Sequence, residues 1–144
     1  MNAASAMETT GLVVCVAVLA VAGVFGLLRR RGDGRLKVRD EGERRLGPAE
    51  LGMELGERAT LVQFSSAFCQ PCRATRRILA DVAGMVEGVA HVELDAEERL
   101  ELVRELGILR TPTVLVLDAR GRVVRRAAGQ PRTADVIAAL GEAV

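Results

Sequence analysis

The chain has 144 residues, enough for one compact domain and a short appendage but not for two independent cores. Twenty basic residues against nineteen acidic ones leave it close to neutral, which excludes recognition carried by overall charge, nucleic acid above all. Three cysteines, at 15, 69 and 72, exclude a disulfide-stapled secreted scaffold, which carries more of them at wider spacings.

Residues 1–10 read as a short N-terminal tail. Residues 11–28, GLVVCVAVLAVAGVFGLL, carry no charge and no strongly polar side chain. As a helix this run spans about 27 Å at ~1.5 Å per residue, close to a hydrocarbon layer of ~30 Å. It has no polar face, so it is not the half-buried helix of a soluble domain. A cleaved signal peptide fits poorly, because Arg and Lys are missing before the run and Arg29, Arg30 and Arg31 follow it directly. A retained single-pass transmembrane helix is the expectation. Arg29, Arg30, Arg31, Arg35, Lys37 and Arg39 all lie after the span, so the positive-inside rule places the C-terminal domain in the cytoplasm. Cys15 lies within the span and reads as a small apolar residue in lipid.

Residues 29–47 hold eight Arg or Lys against four acidic residues and little apolar periodicity, and they read as a basic, solvated juxtamembrane linker. The arginines there also suit anionic lipid headgroups. From residue 48 to 144 the element types alternate. With three Phe and no Tyr or Trp, the core of this domain has to be aliphatic. Ala59 to Phe64 (ATLVQF) predicts a buried strand. After Pro71, the apolar residues Ile78, Leu79, Val82, Met85 and Val86 follow helical spacing, and Gly88 stops the helix. Val89 to Leu94 predicts the next strand, and Asp95 the N-cap of a helix through Leu100, Val103 and Leu106 that Gly107 closes. Thr113 to Leu117 and Arg122 to Ala127 predict a hairpin about the turn at residues 118–121, and a last helix starts near Thr133. Helices between the early strands predict parallel pairing, and the tight turn predicts an antiparallel edge. The expected fold class is α/β, a mixed sheet flanked by helices, with the N-terminal transmembrane helix in addition.

Cys69-Gln70-Pro71-Cys72 falls between the first strand and its helix. A sulfur at a helix N-terminus meets unpaired backbone N–H groups and the positive end of the helix dipole, which favour the anion. The thiolate is the reactive form, and an ordinary thiol of pKa ~8.5 is only about 3% ionised at pH 7. Cys69, the first and more exposed sulfur, is the expected nucleophile, and Cys72, one turn in, the expected resolving thiol. Pro71 suits the first turn because its missing N–H would be unpaired there anyway. Two other readings compete. A metal site needs two further ligands, for which Cys15 and His91 are the remaining candidates, so no metal is expected. A buried, inert cysteine pair is the third reading.

The segment FSSAFCQPCR, followed thirty-nine residues after Cys72 by Thr111-Pro112-Thr113, resembles the thioredoxin superfamily, over about residues 55–144. The lead-in RLGPAELGMELGERATLVQF resembles that of membrane-tethered thioredoxin-like proteins of bacteria. The resemblance implies a thioredoxin-like fold and a redox-active disulfide between Cys69 and Cys72, with no other cofactor. It implies a cis peptide bond at Pro112, with Thr111 and Pro112 forming a substrate platform opposite the cysteines. Phe68, Gln70 and Pro71 are the implied further substrate contacts, and Gly129 resembles the family glycine beside the site. Three departures stand out. Phe68 replaces the usual Trp, Gln70-Pro71 the usual Gly-Pro, and Gln63 the family's buried Asp, leaving Cys72 without its usual acid/base. His91 occupies the place of a strand Lys and is the candidate replacement.

The expected function is therefore a membrane-tethered thiol–disulfide oxidoreductase that reduces disulfides of protein partners, its electron donor unspecified. The alternative is a thioredoxin-fold adaptor or assembly factor that binds thiol clients without turnover.

Overall fold

The computed structural model describes residues 3–36 and 44–144, which separate into one compact unit ending at Gly32 and another beginning at Asp33. The first unit is a single helix, α1 (Ala3–Gly32). It is longer at both ends than the apolar run behind the expectation. Most of the tail expected over residues 1–10 is helical, and so are Arg29–Arg31. The span from Glu8 to Gly32 has a mean hydropathy of 2.8 over its apolar window, long and apolar enough to cross a membrane. Its large side chains are unburied, as at Leu19 and Val21. Arg29 places its guanidinium 5.9 Å from the Phe25 ring, a cation–π contact. Lys37 and Arg39, together with the middle of the expected linker, lie outside the described residues.

The second unit runs through α2 (Pro48–Leu51), β1 (Ala59–Ser65), α3 (Gln70–Met85), β2 (Val89–Asp95), α4 (Leu100–Glu105), β3 (Thr113–Asp118), β4 (Val123–Ala128) and α5 (Thr133–Ala143). The strands form one sheet in the order β2-β1-β3-β4. β1 pairs parallel with β2, Gln63 opposite Glu93, and antiparallel with β3, Phe64 opposite Thr113. The β3–β4 hairpin is antiparallel as expected.

Parallel pairing therefore holds for β1 and β2 but not for β3, and lengths explain why. The sixteen residues of α3 rise about 24 Å at ~1.5 Å each, enough to carry the chain back along a seven-residue strand of about 23 Å. The six residues of α4 rise only about 9 Å, so β3 starts near the end where β2 stopped and must run back. Asp95 is a second correction. It ends β2, and its carboxylate accepts the N–H of Glu97 in a turn, whereas α4 begins at Leu100 after Arg99 as N-cap.

Strand periodicity divides the core into two layers. Val62 and Phe64 of β1 join Leu115, Leu117, Val92 and Leu94 beneath Leu102 and Leu106. Ala59 and Leu61 join Val114 and Val116 beneath Leu79 and Val82 of α3 and Val136, Ala139 and Leu140 of α5. β1 and β3 are buried along their whole length, as central strands between two helical layers must be.

Leu46, in the stretch that reads as solvated linker, is 1% exposed and belongs to the first layer. Its N–H donates to Gly121 O at 2.9 Å, and Arg45 bridges Arg122 at the start of β4. Charged neighbours on both sides hide this single apolar residue from any periodicity argument. Leu46→Ala is expected to cost about 2–4 kcal/mol of unfolding free energy in denaturant titration, whereas a linker residue would change it by less than about 0.5 kcal/mol.

Candidate active site

Because β1 ends at the rim of the sheet, the loop after Ser65 brings Cys69 to the start of α3. Cys69 is the N-cap of that helix, and its Sγ accepts the N–H of Cys72 at 3.2 Å. This is the helix-start position that the sequence predicts. The two sulfurs form a disulfide, with Cα atoms 5.2 Å apart. Cys69 is half-buried, whereas Cys72 is 2% exposed. Pro71 occupies the first turn, and its carbonyl accepts the hydroxyl of Thr75 at 2.8 Å. Phe68, just before the pair, and Gln70, within it, both stand in solvent. Phe68 is fully exposed with φ +57, a backbone conformation that side-chain-bearing residues rarely adopt outside functional loops.

Thr111 and Pro112 come to the same rim from the chain segment before β3, joined by a cis peptide bond. The Thr111 hydroxyl shares a hydrogen bond with Ser66 Oγ at 2.7 Å and stands 3.9 Å from Cys69 Sγ. Gly129, just past β4, donates its N–H to Pro112 O at 2.7 Å. The structure thus gathers Phe68, Cys69, Gln70, Pro71, Cys72, Thr111, Pro112 and Gly129 at one end of the sheet.

Gln63 lies beneath the helix start and is fully buried. Its Nε2 donates to Cys72 O at 2.8 Å and to Ser65 Oγ at 2.9 Å, while Oε1 has no hydrogen-bond partner among the described residues. A neutral amide here holds the backbone of Cys72. His91 sits elsewhere. It pairs with Leu61, two residues along the strands from the level of Gln63 and away from the cysteine end, a displacement of about 7 Å. The charges placed against it are Glu93 and Arg76, joined by hydrogen bonds of 2.6 and 2.9 Å. Arg76 holds the Glu93 carboxyl below its usual range. Burial pushes the His91 imidazole down from 6.5, against the opposing pull of Glu93.

Three site features escape a reading of the sequence. Ser66 registers there only as lead-in, yet it fixes the Thr111 hydroxyl. Gln63 reads as a missing acid, yet it is a donor to Cys72. The Arg76–Glu93 pair joins residues seventeen apart, and no local spacing announces it. His91 has a measurable consequence, since its lowered pKa means that the unfolded chain takes up the proton first. The stability gained by keeping it neutral is complete above pH 6.5 and is lost as pH falls through the folded value. Denaturation midpoints are expected to drop as pH falls below 6.5, ahead of carboxylate titration, and His91→Gln to remove that early drop. An unchanged pH slope in His91→Gln would place the effect elsewhere.

Residues 50–142, well over half of the chain, match the thioredoxin family. Thioredoxin of Alicyclobacillus acidocaldarius subsp. acidocaldarius is 34% identical over 79 residues, covering 54% of this chain and 74% of that protein. Thioredoxin domain-containing protein 2 of Homo sapiens is 40% identical over 60 residues, or 42% of this chain. The match spans only 11% of the human protein's length. Among solved structures, chloroplastic thioredoxin z superposes with a TM-score of 0.54 at 25% identity, over 60% of this chain and 78% of that one. The matched span encloses both cysteines and the cis Thr111–Pro112 bond, and the chain belongs to the thioredoxin family.

Proposed function

We propose that this chain is a membrane-tethered thiol–disulfide oxidoreductase that reduces disulfides in protein clients on the cytoplasmic side. One observation carries the reading: a Cys69–Cys72 disulfide at the start of α3, its first sulfur partly accessible and its second buried, facing a cis Thr111–Pro112 bond.

In the reduced state, Cys69 as thiolate attacks one sulfur of a client disulfide. A mixed disulfide forms, and the other client sulfur leaves as a thiolate that takes up a proton. Cys72, deprotonated, then attacks Cys69 Sγ. The Cys69–Cys72 bond forms, the mixed disulfide breaks, and the second client sulfur departs as a thiol. Two electrons have passed to the client, and an external dithiol must return them. Helix N–H groups favour the anionic Cys69, as its contact with Cys72 N illustrates. Phe68, Gln70, Pro71, Thr111 and Pro112 form the client-facing rim, Thr111 offering its backbone to an extended client chain. The absence of a carboxyl at Gln63 means that the proton of Cys72 leaves by another route. His91, held against Glu93 and Arg76 and two residues along the strands from the level of Gln63, is the remaining side-chain candidate for that task.

Tethering is supported by the length and apolarity of α1, and cytoplasmic placement by Arg29–Arg31 at its end. A composition in which Lys37 is the one Lys among twenty basic residues supports a bacterial source.

With dithiothreitol as reductant, the full chain is expected to accelerate insulin reduction, and Cys69→Ser to fall to the uncatalysed rate. Cys72→Ser is expected to accumulate a mixed disulfide with the client. Equal rates for the parent and Cys69→Ser would leave the adaptor reading in place. Orientation is tested separately: the domain is expected to resist added protease in intact cells and to be cut once the cells are opened. Cutting in intact cells would overturn the cytoplasmic assignment.

A further inference from the structure

Asp33, Gly34, Arg35 and Leu36 open the second unit, and they are docked. Gly34 is buried, and its N–H donates to Ala128 O, on the last residue of β4, at 2.8 Å. Its φ is +74, and a Cβ there would stand 1.9 Å from Gln130 O and 2.7 Å from Gln130 C, backbone atoms that cannot swing aside. The Asp33 carboxylate pairs with Arg110 at 2.8 Å, and the same guanidinium nitrogen donates to Ala128 O at 2.8 Å. Leu36 packs, partly buried, against the layer beneath α3 and α5.

These contacts converge on the client platform. Arg110 immediately precedes Thr111 and Pro112. Gly129, which donates to Pro112 O, has the Gly34 nitrogen 3.2 Å and Asp33 Cβ 3.6 Å from where its own Cβ would be. Segment 33–36, the end of β4 and the platform loop are thus one bonded knot. Elsewhere on the rim, Phe68 stands wholly in solvent.

The geometry points to residues 33–36 as a specificity strap for the Cys69–Cys72 centre. It walls the Gly129 side of the platform with the chain's own backbone. Clients that reach Thr111 must then be small disulfides or narrow, flexible segments entering past Phe68, and bulky folded proteins are disfavoured. The role rests on the oxidoreductase reading above and adds a selection step to it.

The test uses the full chain in lipid nanodiscs. Gly34→Val forces the strap off its backbone seat, and Asp33→Asn weakens its ion pair; neither residue touches a sulfur. Release is read as faster tryptic cleavage after Arg35, identified by fragment mass. Selectivity is read from the rate constants for oxidation of the prereduced chain by insulin and by cystamine, using acid quench and alkylation. Released strap variants are expected to gain about fivefold with insulin while cystamine stays within about twofold. A released strap with an unchanged insulin-to-cystamine ratio overturns the proposal, and so does an Arg35 cleavage rate unchanged in both variants. If Gly34→Val shows no cooperative unfolding, Asp33→Asn carries the comparison. A parent chain oxidised by neither reagent would instead defeat the oxidoreductase reading, and the strap's role with it.

Discussion

The chemistry of this protein hangs from the end of β1. That strand is hydrogen-bonded on both edges and buried on both faces, so its seven residues have no freedom to slide. A shift of one residue would send Leu61 and Gln63 to the opposite layer and Val62 and Phe64 into their place. Fixing the strand fixes where the following loop begins, and with it the first turn of α3. The bond from Gln63 Nε2 to Cys72 O ties that turn to the strand directly. Both cysteines therefore inherit their positions from a strand buried along its whole length.

Electrostatics at the site follow from what is missing beneath it. An acid buried at position 63 would titrate with the cysteines and carry a desolvation cost whenever charged. Gln63 carries neither property, and its Oε1, without a partner among the described residues, leaves an acceptor inside the fold. Level with Gln63, Glu93 is paired with Arg76 of α3, burial pushes the His91 imidazole down, and Asp95 at the end of β2 stands level with Ser65. What the structure sets against Cys69 directly is backbone at the helix start, the Cys72 N–H donating to its Sγ at 3.2 Å.

The rim is built from pieces that would be costly elsewhere. Phe68 holds a left-handed backbone conformation and projects its ring into water, and the hydroxyls of Ser66 and Thr111 are matched across 45 residues of sequence. The ends of β4 are met by Gly34 on one side and by Arg45 on the other. Those contacts cover part of an edge strand that would otherwise offer free backbone groups to a neighbouring chain.

Much of this was readable from local signals. Strand runs at Ala59, Val89 and Thr113, the helical spacing after Pro71, and the turn at residues 118–121 each depend on neighbours a few positions away, and each appears within a residue or two of its expected place. The Cys69–Cys72 spacing carried the chemistry for the same reason, since one helical turn brings the two sulfurs together. The direction of β3, the burial of Leu46, the donor role of Gln63 and the docking of Asp33 and Gly34 were not readable. Each is settled by a contact or a length that no local spacing announces: the length of α4 against β2, Cys72 nine residues on against Gln63, Gly121 against Leu46, and Arg110 and Gln130 against the segment after α1. Local spacing determines which elements form and where the sulfurs sit, whereas the surroundings of those sulfurs depend on distant residues that meet only once the sheet has closed.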